Sequence, residues 1–157
     1  MRLYHGTNVA FDAIDLTKSK PYKDFGRGFY LSPNYEQAME LAQVKVQQLE
    51  VGSPVVLSYE LDEEAFNQLN VLRFDSYSEE WAKFILMNRS NDEADQKHAY
   101  DVVIGPIADD RVGAQLWKYR NHVIDLAHLV QNLKYMKGLT IQYLFATERA
   151  IKLLKRL

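Results

Sequence analysis

Two short segments of this sequence place ligand-facing residue types beside glycine. Leu3-Tyr4-His5-Gly6-Thr7 sets an imidazole next to a glycine at the end of an apolar start. Gly26-Arg27-Gly28-Phe29-Tyr30-Leu31-Ser32 brackets a basic residue with two glycines and puts a tyrosine just beyond. Glycine lets a backbone amide approach a ligand closely, and a tyrosine ring stacks on planar or cationic rings. Each segment also has an ordinary reading: a structural histidine in the first, a tight turn into a buried strand in the second. A third polar group, Asp109-Asp110-Arg111, reads either as a helix N-terminus with favourable acidic charge or as a place where Arg111 meets a pyrophosphate or an acceptor. Arg27 is a comparable candidate for that contact.

Other chemistries are excluded by what the chain lacks. With no cysteine among 157 residues, disulfides, zinc ribbons, iron–sulfur clusters and thiol nucleophiles have no ligands. The four histidines (His5, His98, His122, His128) never take the H-E-x-x-H spacing, so no metal is assigned. Leu31 stands where a dinucleotide fingerprint needs its third glycine, and neither a P-loop nor a G-x-S-x-G elbow occurs. Lys and Arg total 19 against 21 Asp and Glu, a formal charge of −2. That balance offers no global field for nucleic acid or an anionic membrane, although a local basic patch stays open. A 47% hydrophobic, 25% charged composition with 7 Gly and 4 Pro is that of a folded globular chain. No run reaches the length of a membrane span, and the start lacks a signal-peptide stretch. The expectation is one soluble, cytoplasmic domain over residues 1–157. Its 10 tyrosines serve packing or stacking, and composition alone does not choose.

The elements that must position these residues follow from periodicity. Leu3–Tyr4 and Phe29–Leu31 read as short strands, and Ser32 with Pro33 as the cap and first position of a helix carrying Ala38, Leu41, Ala42 and Leu49. Residues 54–61 alternate as a strand, and Val71–Phe74 forms another. Ser78-Glu79-Glu80 opens a helix with Trp81, Phe84 and Ile85 on one face. The stretch from Asn88 to Lys97 reads as an exposed loop. Tyr100–Ile104 is a strand stopped at Gly105-Pro106. Helices are expected at Asp110–Tyr119, with Trp117 in the core, and at Asp125–Tyr135. Ile141, Tyr143 and Phe145 alternate as a strand, and Thr147 caps a final helix running into the basic C-terminus, which reads as a solvated face. Interspersed short elements without a βαβ repeat give the class α+β.

Taken together, a strand ending in His-Gly-Thr and then Gly-Arg-Gly-Phe-Tyr some twenty-five residues later resemble the NAD-binding core of ADP-ribosyltransferases. The matching subgroup is named for its His-Tyr-Glu triad and includes poly(ADP-ribose) polymerases and diphtheria-toxin-like enzymes. The chain as a whole resembles a bacterial family of unknown function (family 3990) assigned to that superfamily. The resemblance runs through Leu3–Thr7, Asp24–Ser32, Trp81–Arg89, Tyr100–Arg111 and Gln142–Ala150.

That resemblance implies a split, mainly antiparallel β-core with flanking helices and NAD as co-substrate. It places the ribose-hydroxyl contact on His5, the carboxamide grip on the backbone of Gly6, and nicotinamide stacking on Tyr30, with Thr7, Arg27, Gly28 and Arg111 as further cofactor-binding candidates. It also implies transfer of ADP-ribose to a protein or other macromolecular acceptor, and a small antitoxin as a candidate partner. The third triad position departs from the pattern, because Gln142 stands where glutamate is expected. An amide keeps a hydrogen bond but loses the negative charge that would stabilise developing positive charge on the ribose. Three consequences stay open: a single transfer to a nucleophilic acceptor, replacement by a carboxylate such as Glu148, Asp109 or Asp110, or binding of NAD without transfer.

Overall fold

The computed structural model describes residues 1–90, 96–134 and 138–157. Among the described residues, seven strands form two sheets. The first has the order β1 (Arg2–Thr7), β3 (Val55–Glu60), β7 (Lys155–Arg156), and the second β2 (Phe29–Leu31), β6 (Ile141–Phe145), β5 (Val102–Pro106), β4 (Val71–Arg73). Every pairing is antiparallel except β4 with β5. Strand alternation builds two cores. Leu3, Phe29, Leu31, Leu57, Tyr59, Ile104 and Phe145 pack together in one of them. The opposite parity sends Val103 and Leu144 to the other, against helices α2 (Glu79–Asn88), α3 (Asp110–Arg120) and α4 (Leu126–Lys134). The class is α+β, as the interspersed pattern implies.

The sheets meet and part at one place. β2 runs beside β6 as far as Leu31↔Tyr143. At Ser32 it changes partner: Ser32 and Tyr4 exchange both backbone hydrogen bonds at 2.8 Å. Continuing the β2–β6 register would have set Ser32 beside Gln142. The split therefore falls at Gln142, and it leaves the later half of β1 without a strand on that side.

Several elements differ from the sequence expectation. Helix α1 (Tyr35–Leu49) is capped by Asn34, whose side chain accepts from Gln37 N at 3.0 Å, rather than by Ser32. Ser32 is held extended by its bridge to Tyr4, so the chain turns helical only two residues later. Ala38 and Ala42 are buried in α1 while Leu41 and Leu49 are exposed. The reason is close approach: a Cβ on Gly6 would lie 1.9 Å from the Ala38 carbonyl oxygen, so only small residues fit where α1 lies on β1.

Gly105 and Pro106 continue β5 rather than stop it. Ile107 N donates to Thr140 O, so by antiparallel alternation the missing N–H of Pro106 faces the edge that β4 has already left. Trp117 is 61% exposed, not core. The final helix, α5 (Glu148–Ile151), is a single turn, after which the basic end adds to the first sheet as β7. Of the segment expected as a loop, Asn88 is instead the buried last residue of α2, and residues 91–95 lie outside the described ones. So does Tyr135, the expected end of α4.

Candidate functional site

The split opens a cleft of about 740 Å³, within the range of small-molecule and cofactor sites. His5, Gly6, Thr7, Gly28, Tyr30 and Gln142 all line it. Arg27 and Arg111 do not, nor do Asp109, Asp110 and Glu148.

His5 follows Leu3 at strand spacing and so points between the sheets, where its ring stacks on Phe29 at 4.3 Å and 28°. Its Nδ1 donates to the Tyr30 carbonyl at 2.7 Å. A carbonyl oxygen only accepts, so the proton sits on Nδ1 and Nε2 carries a lone pair. Burial, aided by the charges of Lys45 and Lys23, lowers the imidazole pKa to about 4 against the pull of that hydrogen bond. His5 is neutral at physiological pH and fixed in one tautomer, ready to accept a hydrogen bond through Nε2.

Gly6 has two separate reasons to be glycine-like. The packing of α1 leaves no room for a Cβ. Strand parity also turns its backbone N–H and C=O to the same side as those of Tyr4, toward the split. The carbonyl there accepts from Lys45 Nζ at 2.9 Å. Thr7 is buried and bonds within its own turn, its Oγ1 donating to Val9 O at 3.1 Å.

The Gly26–Tyr30 segment is tied down at several points. Gly26 has φ +85°, a left-handed conformation that favours glycine. The Tyr30 hydroxyl donates to Gly26 O at 2.6 Å and accepts from Phe25 N at 3.1 Å. Burial pushes that phenol well above its ordinary pKa, so it stays protonated. Gln96 clamps Arg27 through both backbone groups, at 2.9 and 2.7 Å. The imidazole of His98 donates to Phe25 O at 2.7 Å. Ser19 Oγ accepts from Gly28 N and donates to Gly28 O, so the Gly28 amide is engaged by the protein itself. What Tyr30 offers the cleft is its ring, over which Lys23 Nζ stands 5.0 Å from the centroid.

Gln142 pairs with Gly105 across β5–β6 and shares a strand face with Leu144, the residue opposite Tyr30. Its Nε2 is buried without a hydrogen-bond partner. An unpaired buried polar atom is costly, on the order of 1–3 kcal/mol; Asn88 Oδ1 is another among the described residues but lies outside the cleft lining, whereas Gln142 belongs to it.

The three carboxylates named as substitutes for glutamate lie elsewhere. Asp109 caps α3, accepting from Arg111 N and Val112 N, and the Arg111 guanidinium folds back onto it at 2.9 Å. Asp110 is in the first turn of that helix, and Glu148 is exposed on α5. Asp15 and Asp24 are the aspartates that line the cleft. Asp15 caps a short turn through Thr17, and Asp24 pairs with Arg89 at 2.5 Å.

Sequence reasoning missed the lysines. Lys18, Lys20, Lys23 and Lys45 all line the cleft. Three of them fall within six residues just before the glycine segment, a signal open to reading. Lys45 becomes visible only once α1 is seen lying on β1. Among the described residues, no group of three or more His, Asp or Glu side chains gathers to hold a metal, and no helix is long and apolar enough to cross a membrane. No curated protein and no solved structure matches the chain. One protein family does: the model of the family described as Protein of unknown function (DUF3990) matches residues 1–156, end to end through the strands and helices that build this cleft, and the chain belongs to that family.

Proposed function

We propose that this chain is an NAD-dependent ADP-ribosyltransferase of the His-Tyr-Glu class in which Gln142 replaces the glutamate. The carrying observation is the convergence on one cleft of three ligand-ready groups: the lone pair of His5 Nε2, the Tyr30 ring, and the unpartnered Gln142 Nε2. In this reading His5 accepts from a ribose hydroxyl, Tyr30 stacks on nicotinamide, and the backbone of Gly6 holds the carboxamide. Gln142 Nε2 donates to a ribose oxygen and fixes the sugar. The bond between ribose C1 and the nicotinamide nitrogen breaks, nicotinamide keeps the electron pair, and the acceptor nucleophile forms the new bond to C1 and gives up its proton to solvent. The acceptor is macromolecular, with protein first, and a small antitoxin protein is the partner class to look for.

Gln142 contributes geometry and no negative charge. Restoring the charge as Gln142→Glu is expected to raise nicotinamide release on the order of 10²-fold, the size of one well-placed electrostatic contact. Calorimetry with NAD and labelling of a bacterial lysate with tagged NAD test the reading. Saturable binding and labelled product, both lost in His5→Ala and Tyr30→Ala variants that keep their fold by circular dichroism, are the expected results. The absence of both binding and label overturns it.

One observation favours a second reading, a module that binds NAD or ADP-ribose without transferring it. Both aspartates that line the cleft are already engaged, Asp15 by Thr17 and Asp24 by Arg89. NAD binding without nicotinamide release, unchanged in Gln142→Glu, selects this second reading.

A further inference from the structure

Of the four lysines that line the cleft, Lys20, Lys23 and Lys45 act on one another electrostatically, and the carboxylate that Lys23 feels, Asp24, is already paired with Arg89. None of the three makes an ion pair among the described residues. Their partners are a ring and a carbonyl: Lys23 stands over Tyr30, and Lys45 donates to Gly6 O. Like charges disfavour one another: Lys23 and Lys45 both have their pKa lowered, first by partial desolvation and then by neighbouring lysines, with Asp24 acting the other way on Lys23. A protein surface ordinarily separates such groups or pairs them. Held in a concave site they focus field for an anion. Overall charge gives no hint of it, because the chain as a whole is at −2.

We propose that Lys20, Lys23 and Lys45 form an anion subsite for the diphosphate of a dinucleotide-type ligand, and that this subsite is coupled to the ring subsite at Tyr30. The coupling rests on the NAD reading above and follows from the contacts. Lys23 stands over one face of the Tyr30 ring, the group on which a planar ring would stack, and Lys45 takes the Gly6 carbonyl that a carboxamide would use. A diphosphate that draws the two ammonium groups to itself frees both. By linkage the effect is reciprocal: a diphosphate raises affinity for the planar end, and the planar end raises affinity for the diphosphate.

The test is calorimetry on the full chain with inorganic pyrophosphate and with nicotinamide, each alone and then together. Wild type is expected to bind pyrophosphate, more weakly as salt rises. Lys23→Met and Lys45→Met should each weaken that binding roughly tenfold, the size of one charge-assisted contact. Lys23→Arg keeps it. Nicotinamide should bind several-fold more tightly when pyrophosphate is saturating, an enhancement lost in both methionine variants. Thermal unfolding of each variant checks that the fold is intact.

Pyrophosphate binding that is absent, or that both methionine substitutions leave unchanged, overturns the subsite. So does pyrophosphate binding with no effect on nicotinamide. The NAD reading fails separately: lysine-dependent pyrophosphate binding that neither NAD nor ADP-ribose displaces leaves the anion subsite standing and removes the dinucleotide. NAD binding indifferent to the lysines does the reverse.

Discussion

Asp101 and Gln142 lie on neighbouring strands, or within a residue of one, and the protein treats their polar groups in opposite ways. Asp101, just before β5, is 4% exposed. Its carboxylate accepts from Thr147 Oγ1 at 2.7 Å, from Asn70 N at 2.8 Å and from both Nε and an Nη of Arg149. The Arg149 guanidinium holds that carboxyl well below the usual carboxylate range, with Thr147 and Asn70 adding to the effect against the cost of burial. Every acceptor site is used, and the network ties α5 to β5 and to the residue preceding β4. At the cleft the accounts stay open. Gln142 has a buried amide nitrogen without an acceptor, Lys20, Lys23 and Lys45 make no ion pair among the described residues, and His5 Nε2 keeps its lone pair. A closed network specifies a fold, and the open groups at the cleft are the ones that the proposed ligand would engage.

The contrast can be broken in three ways, beginning where the effect is largest. Asp101→Ala strips acceptors from a buried backbone N–H and a hydroxyl, and should cost about 4 kcal/mol in denaturant unfolding at pH 7. The sign with pH is fixed by the depressed carboxyl: its contribution is complete above the unfolded pKa and is lost as pH falls below about 4. The gap between wild type and variant should therefore close in acid, and a gap independent of pH would remove the charge from the explanation.

His5 comes next. Its folded pKa of about 4 lies below the unfolded 6.5, so the unfolded chain binds the proton more readily between those values. Its contribution is complete above about pH 6.5 and drains away as pH falls toward 4, by on the order of 3 kcal/mol. Denaturation of His5→Gln across that window should show a flatter slope than wild type, and an unchanged slope would show that His5 is not the titrating group. The smallest effect is the most diagnostic of function. Gln142→Met removes the orphaned donor at nearly constant volume and should leave stability unchanged or raise it by about 1 kcal/mol. A loss as large as that of Asp101→Ala would mean Gln142 is structural.

The sequence made the strands legible wherever alternation meets a buried face, as in β3 and β6, and made the start of α2 legible through Ser78. Strand partners were not readable. That Ser32 abandons β6 for β1, moving the cap of α1 to Asn34, depends on tertiary pairing that no local signal carries. Trp117 is an amphipathic-pattern misreading: it follows the buried Leu116 by one residue and lies on the outer side of α3. His5, Gly6, Tyr30 and Gln142 were named from residue types and resemblance, and they meet in one cleft. Arg27 and Arg111 were named for charge, yet one has its backbone clamped by Gln96 and the other folds onto its own cap. Lys23 and Lys45 required the geometry.

The central claim is that the split between the sheets at Gln142 is a nucleotide site with its planar end on Tyr30. A crystal structure of the full chain grown with NAD tests it most directly. The account predicts a nicotinamide ring against the Tyr30 face, a ribose oxygen within hydrogen-bond distance of Gln142 Nε2, and the diphosphate among Lys20, Lys23 and Lys45. Ordered ligand bound away from Tyr30, with Gln142 Nε2 still lacking an acceptor, would contradict it.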